Sequence, residues 1–254
     1  MSFIIIAGLG ALISSFFLFL SAILTFPLFR KARDEIFLHM TLTLFLFATT
    51  IMVTGLFVLF FPETMFSTIQ DLGMMKIPYL LIVIIFFMLL TILEFSFTYV
   101  NLSSNRLFLI EKYIPIIPAL FLGWLIASLF NNNDVELMEE LSFFGLIMLG
   151  FLVDAMIIVL LIRLRKVREK FIDRKAERAL LTHLMIILIV FLVYQFGDLI
   201  WFISILISSD LYNLAFFSQF FLLPVFSFLL LIQSSSIWKI IDKINYSLLL
   251  NELN

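Results

Sequence analysis

Residues 163–178 have the sequence RLRKVREKFIDRKAER and form the longest charged stretch of the chain, which we call the basic run. The rest is strongly apolar: hydrophobic residues make up 63% of the 254 positions, charged residues 13%, and the mean hydropathy is +1.19. About a quarter of the residues of a soluble domain are charged. The composition therefore predicts a protein of the cell membrane whose main partner is the lipid bilayer, with the basic run outside the hydrocarbon.

Apolar runs of about 20 residues, the length that crosses a hydrocarbon core about 30 Å thick, recur along the chain. Backbone groups in lipid must be satisfied within their own segment, and unbroken apolar runs without strand-like alternation favour helices. We predict an all-α polytopic fold, a bundle of seven transmembrane helices in residues 1–236. The spans are Phe3 to Phe29, Leu38 to Phe61, Ile77 to Asn101, Tyr113 to Phe130, Leu141 to Ile162, Leu180 to Ser208 and Leu211 to Ser235.

The distribution of charge predicts the orientation. Every basic residue except Lys76 falls in the loops after the first, third and fifth spans or in the C-terminal segment, whereas the opposite loops are acidic. Because positive loops stay in the cytoplasm, we expect the N-terminus outside the cell and the C-terminus in the cytoplasm. Small residues at four-residue spacing in the first span allow a close helix approach: Ala7, Ala11 and Ser15.

Residues 237–254 follow the last span and alternate apolar and charged residues at helical spacing. The apolar members are Ile237, Ile240, Ile241, Ile244 and Leu248, with Lys239, Asp242 and Lys243 between them. This pattern predicts a cytoplasmic amphipathic helix on the inner leaflet, anchored by Trp238. Docking of a cytoplasmic partner is the alternative.

Missing residue types argue against most enzyme classes. The chain has no cysteine and two isolated histidines, so a thiolate nucleophile and the usual zinc ligand sets are missing. It also lacks nucleophile-turn and phosphate-loop motifs. All lysines fall in loops or the C-terminal segment, which argues against a retinal Schiff base. We predict a non-enzyme with no metal or cofactor, and the segregated charges argue against nucleic-acid binding.

Three carboxylates fall inside predicted spans: Glu94, Asp154 and Asp198. An ionisable group in a membrane costs about 2.5–3.5 kcal/mol or more, so each marks a candidate functional site. Glu94 and Asp154 lie at similar predicted depth. If they face each other, the two carboxyls would share a proton, because both cannot ionise at short range in a low dielectric. Structural carboxyls are the alternative.

The sixth span contains a polar stretch around Asp198, in the outer half of the membrane. Gln219 lies at comparable depth on the seventh span, which Pro224 is expected to kink, and a very short turn makes these two spans neighbours. Apolar walls with a few convergent polar groups are typical of ligand sites. We predict a ligand pocket formed by Asp198, Trp201, Gln219, Tyr194, Gln195 and Trp124. A simple hydrogen bond between Asp198 and Gln219 is the alternative.

Several stretches resemble the seven-helix sensor region that precedes many prokaryotic histidine kinases. They are Phe97-Thr98-Tyr99 with a basic turn after it, Ile114-Pro115-Ile116-Ile117-Pro118, the long basic run and Gln195-Phe196-Gly197-Asp198. The resemblance implies a sensory role. Only residues 236–254 follow the seventh span, so we expect output through a separate partner.

The favoured hypothesis is a receptor-like membrane sensor that binds a small or lipidic ligand and signals through a cytoplasmic protein. The alternatives are a small-solute or proton-coupled transporter and a non-catalytic scaffold or accessory subunit. The interaction site is expected on the basic run, at Arg163, Arg165, Lys166, Arg168, Lys170, Arg174, Lys175 and Arg178. Anionic lipid attracts each basic residue by about 1 kcal/mol. Acids spaced against these cations predict two protruding helix ends.

Overall fold

A computed structural model describes residues 2–32, 35–60, 151, 154–155, 157–207 and 209–253. These residues form helices and short connections and contain no strand. In chain order the continuous helices are α1 (Ser2–Ala32), α2 (Glu35–Phe60), α3 (157–170), α4 (Lys175–Ile207), α5 (Ser209–Ile240) and α6 (Tyr246–Leu253). A 3-10 turn, Ile241–Lys243, connects α5 to α6. The predicted all-helical class is confirmed for this part of the chain.

Four stretches of the described helices are long and apolar enough to cross a membrane: Ile5–Ala32, Met40–Phe60, Lys175–Tyr194 and Phe221–Lys243. They correspond to the first, second, sixth and seventh predicted spans and are compatible with a membrane location. The third and fourth predicted spans and the start of the fifth lie outside the described residues.

The helices pack in a definite order, with α1 between α2 and α5, and α5 also against α4. The predicted adjacency of the sixth and seventh spans is confirmed, since α4 ends at Ile207 and α5 begins at Ser209. An aromatic cluster connects α2 to α4: the Phe47 ring lies 5.5 Å from Phe191 and 4.9 Å from Tyr194, centroid to centroid.

Small residues hold α1 and α2 close together. Ala7, Ala11 and Ser15 are buried, as the spacing predicts, and the Ser15 hydroxyl donates a hydrogen bond of 2.9 Å to the carbonyl of Ala48. A methyl group added at Gly55 would lie 2.9 Å from the Ala11 Cβ and 3.1 Å from the Gly8 carbonyl oxygen. Glycine is therefore required at Gly55 for this approach.

Hydroxyl groups in the apolar helices mostly satisfy themselves locally. Ser14, Ser21, Thr41, Thr50 and Thr54 each donate to the carbonyl four residues earlier. Such bonds meet the hydrogen-bonding requirement without a partner on another helix, which suits a segment surrounded by lipid.

Candidate functional site at the ends of the helices

The basic run folds as two helix ends joined by a tight turn. Helix α3 continues through Lys170, residues 171–174 turn, and α4 begins at Lys175. Backbone hydrogen bonds of 3.2 Å, from Phe171 N–H to Arg168 and from Arg174 N–H to Phe171, hold the turn. The predicted helical ends are confirmed, together with one expected pair, Arg165 to Glu169 at 3.5 Å.

Helical periodicity gives the basic run a buried and an exposed side. Leu164, Val167 and Phe171 recur at intervals of three and four residues and belong to the buried core. The exposed side carries most of the predicted interaction residues: Arg165, Lys166, Lys170, Arg174, Lys175 and Arg178. Arg163 and Arg168 are half-buried. The cations therefore lie on the exposed side of a segment whose other side is packed into the core.

The C-terminal tail, residues 241–253, docks on these helix ends. Two ion pairs attach it: Lys31 at the end of α1 contacts Asp242, and the Lys170 Nζ of α3 lies 2.7 Å from the Glu252 Oε2. We call the basic run and the C-terminal tail together the cap. Because the C-terminal tail contacts α1, α3 and α4, it joins three parts of the chain: its beginning, the basic run and its end.

A buried carboxylate on α4 holds the start of α6. The Asn245 backbone N–H donates a hydrogen bond of 3.0 Å to the Glu177 Oε1, and Glu177 is buried. The Asn245 side-chain oxygen in turn accepts bonds from the Leu248 N–H at 3.3 Å and the Ser247 hydroxyl at 2.8 Å. Asn245 is thus the N-cap of α6. The negative charge of Glu177 also lies at the favourable end of that helix.

Apolar burial contributes more to docking than the ion pairs do. Ile241, Ile244 and Leu249 of the tail are buried. Each such side chain contributes about 1.5–3 kcal/mol when it leaves water, whereas an exposed ion pair contributes at most about 1 kcal/mol. We therefore expect the apolar side chains to anchor the tail and the charges to set its position.

The tail differs in two ways from the single amphipathic helix predicted for residues 237–254. Helix α5 continues to Ile240, and the 3-10 turn and extended backbone at Ile244 separate it from α6. The apolar residues Ile237, Ile241 and Ile244 pack into the protein core, although amphipathic spacing alone fits a lipid surface equally well. Trp238, the predicted anchor, is exposed.

Tyr246 is half-buried at the start of α6 and packs against the core. Its hydroxyl donates a hydrogen bond of 3.0 Å to the Ile241 carbonyl, and burial raises the pKa of the phenol to about 12. Burial has this effect because it disfavours the charged phenolate. Docking of the tail is consequently coupled to the protonation state of Tyr246 at alkaline pH.

Asp154 is the one predicted intramembrane carboxylate whose side chain the structure describes. It is only 7% exposed, and neither carboxylate oxygen has a hydrogen-bond partner within the described part of the chain. Its predicted partner Glu94 lies outside the described residues.

Nearer the cap, a polar contact connects α4 to α5: the His183 Nδ1 and the Gln233 Oε1 lie 2.7 Å apart.

The residues of the predicted outer pocket fall on two packed helices. Tyr194, Gln195, Asp198 and Trp201 belong to α4 and Gln219 belongs to α5. Tyr194 is buried, with edge-on ring contacts to Phe47 and, at 6.1 Å, to Phe226. Trp124 lies outside the described residues, and the pocket itself stays a prediction.

The sequence arguments missed the polar contacts of the cap. Glu177, Asn245 and Glu252 are separated by long stretches of chain, so no local spacing brings them together. One signal was available: an asparagine before an apolar run is a common helix N-cap, and it marks the start of α6 at Tyr246.

Comparison of the chain with protein-family models, curated proteins and solved structures found no match.

Proposed function

We propose that the protein is a receptor-like membrane sensor with seven spans, an external N-terminus and a cytoplasmic C-terminus. It binds a small or lipidic ligand in the outer half of the bundle and signals through a cytoplasmic protein, without catalysis. The observation that carries the proposal is the docking of the C-terminal tail across the ends of α1, α3 and α4. The resemblance to the sensor region of prokaryotic histidine kinases fits this role.

Helix α4 supplies the mechanical connection. From Asp198 to Glu177 it covers about 32 Å as one continuous helix. A ligand at Asp198, Trp201 and Gln219 that shifts α4 against α5 therefore displaces the Glu177 carboxylate from the Asn245 N–H. The difference in the ligand's affinity for the two positions of α4 then changes the position of the tail. The buried apolar side chains of the tail oppose this movement more than its weak, exposed ion pairs do.

Thermal stability and a distance measurement test this proposal together. Amino acids, fatty acids and lysophospholipids are screened for a rise in Tm of the protein in nanodiscs. Because the chain has no cysteine, spin labels on Lys166→Cys and Lys243→Cys then report the distance between α3 and the tail. We expect a stabilising compound to change that distance, and Asp198→Ala with Gln219→Ala to abolish both effects.

The matched control is Phe196→Ala, because Phe196 lies on the same helix and is exposed. It should preserve both effects. A compound that stabilises the double variant as well as the wild type would contradict the outer site. A stabilising compound that leaves the distance unchanged would contradict signalling through the tail.

Proton-coupled transport is a second candidate, favoured by Asp154. A buried carboxylate whose oxygens have no partner in the described residues requires either a bound proton or a partner elsewhere in the chain, and Glu94 is the predicted partner. Proteoliposomes with an internal pH-sensitive dye test this candidate. Proton uptake that vanishes in Asp154→Asn would support transport and count against the sensor. A scaffold role predicts neither flux nor ligand binding.

A further inference from the structure

One apolar side chain stands exposed at the tip of the basic run. Ile172 is 66% exposed, whereas the adjacent Phe171 is 2% exposed. Phe171 belongs to the buried core, so the turn is well supported and Ile172 is not needed to pack it. Exposed cations flank it on α3, in the turn and at the start of α4: Lys166, Lys170, Arg174 and Lys175.

If the hydrocarbon ends where the charged side chains begin, the tip lies too far from it to rest on lipid. From Ile162, the last residue before the basic run, to Lys170, α3 covers about 12 Å. On α4, His183 is the last ionisable side chain of the inner half, and Leu184 follows it. The distance from Leu184 to Lys175 along the helix is about 14 Å. The headgroup layer on each side of a bilayer is only about 5–8 Å thick. On the proposed topology, with the hydrocarbon ending at Ile162 and Leu184, the tip therefore extends beyond the headgroups into water.

The charges around Ile172 indicate the chemistry of its partner. Among the described residues of the tip, the exposed acids are Glu169 and Asp173, and Glu169 already pairs with Arg165 at 3.5 Å. The tail shows the complementary charge, since α6 places the Glu252 carboxylate on Lys170. One cation of this surface thus already binds a carboxylate, and the exposed Ile172 adds an apolar side chain beside it.

We propose that Ile172 and the surrounding cations form the docking surface for an acidic segment of a soluble cytoplasmic protein. Carboxylates of the partner pair with Lys166, Arg174 and Lys175, and an apolar side chain of the partner covers Ile172. Glu252 competes for Lys170, so a displaced tail exposes one more cation. This inference rests on the proposed function, because it names the partner through which the sensor signals.

Binding of a fluorescein-labelled, glutamate-rich amphipathic peptide with one leucine stripe tests the surface. The full chain is placed in neutral phosphatidylcholine nanodiscs, and anisotropy is measured without any membrane ligand. We expect Ile172→Ser to weaken binding about tenfold, as the loss of one buried apolar side chain implies, and Ile172→Val to preserve it. Lys166→Glu should weaken binding more than Lys239→Glu, an exposed lysine on α5.

Two results would overturn the docking surface. One is peptide binding that Ile172→Ser leaves unchanged. The other is a blue shift of an environment-sensitive dye on Ile172→Cys when phosphatidylglycerol replaces the neutral lipid, because that shift would place the tip in the bilayer. Specific peptide binding without any response to membrane ligands would leave the docking surface intact and contradict the sensor instead.

Discussion

The apolar bundle and the cap are stabilised in different ways. In the bundle, most of the hydroxyls described bond to their own helix, and small residues let backbones approach, as at Gly55 and Ala11. In the cap, polar contacts join distant parts of the chain, as between Glu177 and Asn245. Lipid is as apolar as leucine, so burial between helices gains packing but no hydrophobic transfer. The cap carries many exposed charges, which favour water over hydrocarbon, so apolar burial there is expected to gain both packing and hydrophobic transfer.

The largest expected effect is a difference in the stability lost when a buried leucine is truncated in the cap and in the bundle. Leu249 in the cap and Leu44 in α2 are both 0% exposed. We expect Leu249→Ala to reduce the free energy of tail docking by about 2–3 kcal/mol, because transfer and cavity terms add. Leu44→Ala should cost less, since only the packing term applies. Hydrogen exchange of the tail measures the loss of docking in Leu249→Ala, and thermal unfolding in nanodiscs measures the loss of stability in Leu44→Ala. Equal losses would contradict the distinction.

Adding a single carbon at the closest approach of α1 and α2 tests the packing of the bundle. Gly55→Ala should lower stability by about 1–3 kcal/mol, because the new methyl meets the Ala11 Cβ and the Gly8 carbonyl at distances that force the helices apart. Val225→Ile adds one carbon at an exposed position of α5 and is the control. The Tm in nanodiscs should fall only for Gly55→Ala, and unchanged stability would argue against the tight contact.

Alkaline pH should loosen the cap before it affects the bundle. The pKa of Tyr246 is raised to about 12 in the docked tail, above about 10 for a free phenol. The stabilisation from this group is therefore fully present below pH 10 and is lost as the pH rises from about 10 to 12. Proteolysis of the tail should accelerate across this window. In Tyr246→Phe the acceleration should be smaller, and identical profiles would contradict the burial of the phenol.

The ion pairs should have the smallest effect. Lys170→Glu should weaken docking by at most about 1 kcal/mol, since both side chains are partly exposed. Combining it with Glu252→Lys should restore most of the loss, and high salt should reduce the difference. Hydrogen-exchange rates of the tail in the wild type, the two single variants and the double variant form a double-mutant cycle. A double variant no better than the singles would show that the pair does not contribute.

The fold was predictable where one local property determined it. Long apolar runs predicted α1, α2, α4 and α5, and the very short stretch between the sixth and seventh apolar runs predicted that α4 and α5 are neighbours. Spacing also predicted that Ala7 and Ala11 lie at an interface. It did not identify Gly55 as their partner, because that depends on how the two helices align.

The cap was not predictable for a physical reason. Amphipathic spacing at Ile237, Ile241 and Ile244 shows that a face is buried, but not whether lipid or protein covers it. Helices that are apolar all round give no preferred side either, so the sequence could place Asp198 and Gln219 on neighbouring helices without orienting their side chains. The contact of Glu177 with Asn245 depends on tertiary structure alone.

Hydrogen exchange at the Asn245 amide tests most directly whether the tail docks on the protein. This N–H precedes α6 and has no acceptor within that helix, so its protection comes from Glu177. We predict slow exchange in the wild type and in Glu177→Gln, which keeps an acceptor oxygen, and fast exchange in Glu177→Ala. NMR of isotopically labelled asparagine in nanodiscs provides the measurement. Fast exchange in the wild type, or the same slow rate in Glu177→Ala, would contradict the docked tail.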